Sequence, residues 1–157
     1  MPDRLSAHLT LAEVTVSDTA KRLGIPNLPT PEHTVNLMAL AEAIFEPLRA
    51  HFGVPLHVSS GYRSAELNAA TPGASATSQH STGEALDLDQ DGRGNGVTNA
   101  EVFAFIRANL PFDQLIWEGG DDANPDWVHV SYRASRLRGE VLRMRRVGGK
   151  AKYAPFA

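Results

Sequence analysis

The sequence predicts a single α+β domain, and three observations carry that expectation. The chain has 157 residues, the size of one ordinary domain with no room for a second core of comparable size. Its opening third holds capped segments whose apolar residues recur every three or four positions, the helical period. From Val54 onward short β-rich runs surround one further helix, and helices followed by mixed strands and helices describe an α+β arrangement.

The elements follow in order. Thr10-Leu11-Ala12-Glu13 has capping-box form and predicts a helix to about Leu23, stopped by Gly24 and Pro26. After a loop, Thr30 caps a second helix with Pro31 at its first position, where the missing N–H does no harm. Leu37, Met38, Ala41, Ile44, Phe45, Leu48 and Phe52 form its buried stripe, Pro47 bends it and Gly53 ends it. Val54 to Ser59 reads as a strand, and Pro55 assigns it to a sheet edge or a strand start. Ser64 to about Ala70 is a short helix, and Ala85 to Leu88 a short strand before a glycine-rich loop that runs to Gly96. A second capping box, Thr98 to Glu101, opens a helix with Val102, Phe103, Ile106 and Leu110 on one side. Gln114 to Trp117 and Trp127 to Tyr132 are strands joined by a Gly, Asp, Asn and Pro-rich connection, as in a long hairpin.

Composition removes several classes. Apolar residues make 42 % and charged residues 21 % of the chain, which excludes disorder, coiled coil and collagen. No run approaches the roughly eighteen apolar residues of a membrane span. The segment Met1 to His8 lacks a signal peptide's apolar core, so synthesis in the cytoplasm without a signal peptide is expected. Cysteine is absent, which excludes disulfides and thiolate metal sites; any metal here is held by His, Asp, Glu or water. The net charge of −3 conceals an asymmetry: residues 133–157 carry eight basic side chains against Glu140 alone. Such a basic tail either solvates as a terminal strand or draws the acidic body towards a polyanion. Val141, Met144 and Val147 are apolar enough to dock it at least in part on the body.

Two of the six histidines keep unusual company. His80 lies in Ser78-Gln79-His80-Ser81-Thr82-Gly83-Glu84-Ala85-Leu86-Asp87, where Gly83 allows a sharp turn between the imidazole and the Asp87 carboxylate. His129 sits in Trp127-Val128-His129-Val130-Ser131. Two imidazoles and one carboxylate are the three-ligand set of a catalytic zinc, although spacing alone does not establish that they converge. Asp87-Leu88-Asp89-Gln90-Asp91-Gly92 starts like a calcium loop but has Thr98 where the bidentate Glu belongs. What remains there is either a weak cation site at Asp89, Asp91 and Asn95 or a plain acidic loop.

These motifs, with Ser60-Gly61-Tyr62-Arg63-Ser64 upstream, resemble the zinc D-Ala-D-Ala carboxypeptidase and phage endolysin family, peptidase M15, in its short phage- and prophage-borne branch. The resemblance covers roughly residues 37–132, leaving 133–157 as a basic C-terminal segment of the same domain. It implies a hedgehog/DD-peptidase-like fold: a small antiparallel sheet carrying one zinc, with the N-terminal helices packed against it. It implies zinc ligands His80, Asp87 and His129, with Arg63 gripping a substrate carboxylate or carbonyl and Ser78 and Gln79 lining the same groove. It implies Asp126, three residues before His129, as the general base, with Glu118 on the facing strand as its competitor. Trp117, Trp127 and Tyr132 are groove walls or plain core. The expected activity is hydrolysis of peptidoglycan stem peptides by a monomer, without specific nucleic acid or a membrane span, on the cell wall after release. Alternatives from other classes are a non-catalytic zinc-fold module that binds the wall, a phage structural component, and a nucleic-acid binder acting through its tail.

Overall fold

The computed structural model describes residues 2–157. A small hairpin, β1 (Arg4–Ser6) and β2 (Leu9–Thr10), leads into α1 (Leu11–Thr15) and α2 (Asp18–Leu23). The single helix expected over this stretch is two. Thr10 and Glu13 do close a capping box, but Ser17 accepts the backbone N–H of Ala20 and starts a new helix after an extended Val16. A local cap has outcompeted helix continuation.

The second helix is continuous in direction but not in winding. It comprises α3 (Pro31–Leu40), a π-helical turn (Ala41–Phe45) and α4 (Glu46–Phe52). The wide turn immediately precedes Pro47, whose ring would otherwise clash with the preceding turn's carbonyl. Leu37, Leu40, Ile44, Phe45 and Leu48 are fully buried, while Met38, expected in the same stripe, is 39 % exposed. Each such buried Leu, Ile or Phe contributes about 1.5–3 kcal/mol. Later come α5 (Ala65–Ala70), capped by Ser64, and α6 (Asn99–Asn109), whose capping box of Thr98 and Glu101 is complete.

Six strands form the main sheet: β3 (Val58–Ser60), β4 (Ala85–Leu88), β5 (Gln114–Glu118), β6 (Trp127–Ser131), β7 (Glu140–Val147) and β8 (Lys150–Pro155). Their order is β3-β4-β6-β5-β7-β8. The first is an edge strand and starts later than expected. The Gln90 amide side chain takes both the N–H and the C=O of His57, replacing a strand partner there.

The sheet is mixed, not antiparallel throughout. β5 and β7 run parallel, with Gln114 opposite Glu140 and Glu118 opposite Met144. β6 ends beside the start of β5, where Gln114 faces Ser131. Residues 132–139 then cross that end, tied by Gly139 N–H to Phe112 O and by Glu140 N–H to Asp113 O. The basic segment is therefore not a loose strand. It becomes a hairpin inside the sheet, docked by buried Met144 and half-buried Val141, while Val147 stays 60 % exposed.

One sheet face carries Leu86, Leu88, Leu115, Trp117, Val128 and Val130 into the core shared with α3, α4 and α6. No helix of the described residues is long and apolar enough to cross a membrane.

Candidate metal centre and active-site face

Alternation along a strand puts neighbouring side chains on opposite faces. With Leu86, Leu88, Val128, Val130, Leu115 and Trp117 turned to the helices, Asp87, His129, Ile116 and Glu118 fall on the other face. Register aligns them: Asp87 pairs with His129, and His129 with Ile116.

His80 reaches this face from a short 3-10 turn, Gln79–Thr82, that Ser78 caps and Gly83 ends. Its Nδ1 lies 2.7 Å from the carbonyl oxygen of Gly61. A carbonyl only accepts, so Nδ1 carries the proton and Nε2 presents its lone pair. That Nε2 stands 3.2 Å from Asp87 Oδ1, and His129 Nδ1 stands 3.0 Å from the same oxygen. One ligand atom from each of the three side chains lies within 4.8 Å of the other two. Burial alone would raise the Asp87 pKa, but the two histidines more than reverse this and hold the carboxyl well below the usual range.

Gly61 is required by a close approach. A Cβ there would stand 2.6 Å from the Val14 carbonyl oxygen, which also accepts the N–H of Tyr62. Arg63 follows, half-buried, with Nη2 donating to Ser78 Oγ at 3.3 Å and its buried Nε without a partner. Burial lowers its pKa while the charge of Asp87 opposes the shift. Gln79 turns elsewhere: its amide donates to Asp113 Oδ2 at 3.0 Å.

The two candidate acids differ sharply. Asp126 is exposed, lies against Gly119, and donates its backbone N–H to Glu118 O. Glu118 is only 5 % exposed and its buried Oε2 has no partner. Burial, with repulsion from Asp87, pushes its pKa up to about 7 against the pull of His129 and Arg146. An orphaned buried carboxyl is costly, and such exceptions mark functional positions.

The aromatic candidates separate as well. Trp117 belongs to the core, edge-on to Phe103 and tilted against Phe156. Tyr132 packs on the same core. Trp127 pairs with Glu118 and, by alternation from His129, shares the metal-site face. In the glycine-rich loop, Asp89 Oδ1 accepts from Asn99 Nδ2 and from Asp91 N–H, while Asn95 Nδ2 donates to Pro55 O and Gln90 Oε1. These contacts hold the loop, and Asp91 Oδ1 accepts from Asn124 Nδ2 at 3.2 Å.

Arg146 and Tyr153 are site-face residues that sequence reasoning did not single out. The signal was available: Val147-Gly148-Gly149-Lys150 has the form of a two-residue hairpin turn, and alternation from there assigns both side chains to one face.

Two histidines, an aspartate and a buried acid beside them form the constellation of a metal-dependent hydrolase. A family model described as Peptidase M15 matches residues 7–131, and the chain belongs to that family. Its members are zinc-dependent peptidases. The donor set fits that metal, since two imidazole nitrogens and one carboxylate oxygen converge, the protein-ligand set of a catalytic zinc. No curated protein matches the chain. The β7–β8 hairpin lies beyond the matched residues.

Proposed function

We propose that this chain is a zinc peptidase that hydrolyses peptidoglycan stem peptides, an enzyme of the endolysin or D-Ala-D-Ala carboxypeptidase type. The observation that supports it most is the buried, unpartnered Glu118 carboxyl on the sheet face that carries His80, Asp87 and His129. His80, Asp87 and His129 would hold the metal, which when bound supplies Lewis acidity to the site.

Glu118 acts as the proton carrier. With its pKa near 7 it takes a proton from the attacking water and returns it to the departing amine. That reading ranks Glu118 above Asp126, against the order the motif spacing favours. Burial and a missing partner raise a carboxyl to the working range, and an exposed turn residue has neither. Arg63 grips a carboxylate or carbonyl of the substrate from beside Asp87, its permanent charge and planar fork suited to a bidentate pair. Ser78 orients that fork through its hydroxyl. The Gly61 carbonyl fixes the His80 imidazole through its Nδ1–H.

Mass spectrometry of purified muropeptides after incubation with the zinc-loaded protein tests the reading. Loss of a terminal D-alanine or scission between L-Ala and D-Glu supports it and tells the two types apart. Unchanged muropeptides overturn it.

A further inference from the structure

The C-terminal hairpin extends the candidate active-site face beyond the family match. Strand register carries the row onward: Glu118 of β5 lies opposite Met144 of β7, and Met144 opposite Tyr153 of β8. Arg146, two positions past Met144, shares that face by alternation. Its neighbours Arg143 and Arg145 turn to the other face, where both approach Asp122, at 2.7 and 3.7 Å. Arg146 is exposed and has no ion-pair partner among the described residues. Tyr153 is 55 % exposed, and burial together with Glu118 and Asp87 raises its phenol pKa, keeping it a donor at neutral pH.

We propose that Arg146 and Tyr153 form a second anion subsite that receives a carboxylate of the peptide substrate on the far side of Glu118 from Arg63. The proposal rests on the peptidase reading and narrows its substrate class to peptides that carry two carboxylates. From Asp87 on β4 to Tyr153 on β8 the row crosses four strand spacings of about 4.8 Å, roughly 19 Å. An extended peptide of about five or six residues has that length. A guanidinium fork and a phenol hydroxyl together offer the donors that a carboxylate accepts.

Three synthetic peptides test this: L-Ala-γ-D-Glu-L-Lys-D-Ala-D-Ala, the same peptide amidated at the glutamyl carboxylate, and the same peptide amidated at its C-terminus. KM and kcat are measured for zinc-loaded wild type, Arg146→Gln, Arg146→Lys and Tyr153→Phe. Binding is measured by calorimetry on the same hairpin substitutions made in the zinc-loaded Glu118→Gln protein. Arg146→Gln should raise KM and Kd for the free peptide by about tenfold or more, the worth of a charge-assisted hydrogen bond. That penalty should vanish on one of the two amidated peptides, and Arg146→Lys should restore part of it. Tyr153→Phe should show a smaller penalty with the same preference. Arg145→Gln, one residue away on the opposite face, serves as the control and should match the wild type. If Arg146→Gln loses the same factor on all three peptides while the wild type cleaves them, the subsite is overturned and the peptidase reading stands. If no peptide is cleaved but the binding penalty still tracks one carboxylate, the subsite stands and hydrolysis of stem peptides fails. Absence of binding to all three overturns both.

Discussion

At the scale of single residues, the proposed role of Glu118 sets activity against stability. Its folded-state pKa is raised from 4.5 to about 7, so its contribution favours the fold below about 4.5 and is gone once the pH passes 7. At pH 8 the ionised carboxyl therefore costs stability. Glu118→Gln should raise the stability of the chelator-treated protein at pH 8 by about 1–3 kcal/mol, and by much less at pH 4. The same change should keep zinc bound and lower turnover by about 10²–10⁴-fold, while Asp126→Asn leaves turnover nearly unchanged. Thermal melts at the two pH values and single-substrate kinetics check both halves. A greater loss from Asp126→Asn, with metal retained in both variants, would reverse the assignment. Gly61 is the second test at this scale. A methyl group there would meet Val14 atoms at 2.6–2.8 Å, so the backbone must shift, and with it the carbonyl that orients His80. Gly61→Ala should weaken zinc binding by about 10–100-fold, the usual effect of losing a ligand's orienting partner. Equal affinity in a zinc titration would show that the carbonyl does not set the imidazole.

At the scale of elements, legibility in the sequence followed local chemistry. Thr10, Thr30 and Thr98 mark helix starts because a cap is decided within four residues, and all three accept the expected backbone N–H. Strand positions from Ala85 to Ser131 were readable from apolar runs for the same reason. Pairing was not: the parallel match of β5 with β7 depends on where residues 132–139 are tied down, and their anchor is Asp113. Its side chain is wholly buried and accepts from Gln79, Arg136 and Arg138, with Arg138 Nε at 2.7 Å. Nothing near Asp113 in the sequence announces that role, since its partners come from residues far along the chain. Motif spacing likewise placed the His80, Asp87 and His129 types in order, whereas the contrast between Glu118 and Asp126 is one of burial, which spacing does not carry. Burial would raise the Asp113 pKa, but hydrogen bonds from Arg138 more than reverse this and hold it well below the usual range. Its stabilisation is thus present above its unfolded value of 3.8 and fades as the pH falls towards the lowered one. Asp113→Asn should cost about 1–3 kcal/mol at pH 7, discounted because both arginines are half open to solvent. Denaturant unfolding at pH 7 and pH 3 should show the gap from wild type closing in acid; a constant gap would mean packing, not charge, is lost.

At the scale of the whole molecule, the basic tail and acidic body are largely reconciled within the fold. Arg133 pairs with Glu84, Arg136 and Arg138 with Asp113, and Arg143 with Asp122. Arg143 also lies over the Trp117 ring, so it is part of the structure and not of a free surface patch. The sheet then divides the molecule by task. One face packs on α3, α4 and α6, and the other carries Asp87, His129, Glu118, Arg146 and Tyr153, with His80 reaching it from the 3-10 turn. Zinc would join β4, β6 and the 3-10 turn at Gln79–Thr82 without touching the core. Metal should therefore stabilise a fold that already exists, unlike small zinc domains that unfold without it. At a thousandfold excess over its dissociation constant, zinc adds about 4 kcal/mol to the unfolding free energy. Chelation should lower the melting temperature while far-ultraviolet circular dichroism stays native at 25 °C. The double variant His80→Ala/His129→Ala should resemble the chelated wild type and show no zinc-dependent shift. Collapse of the dichroism spectrum on chelation would mean that the helix-side core does not suffice. A zinc shift that survives in the double variant would place the metal elsewhere.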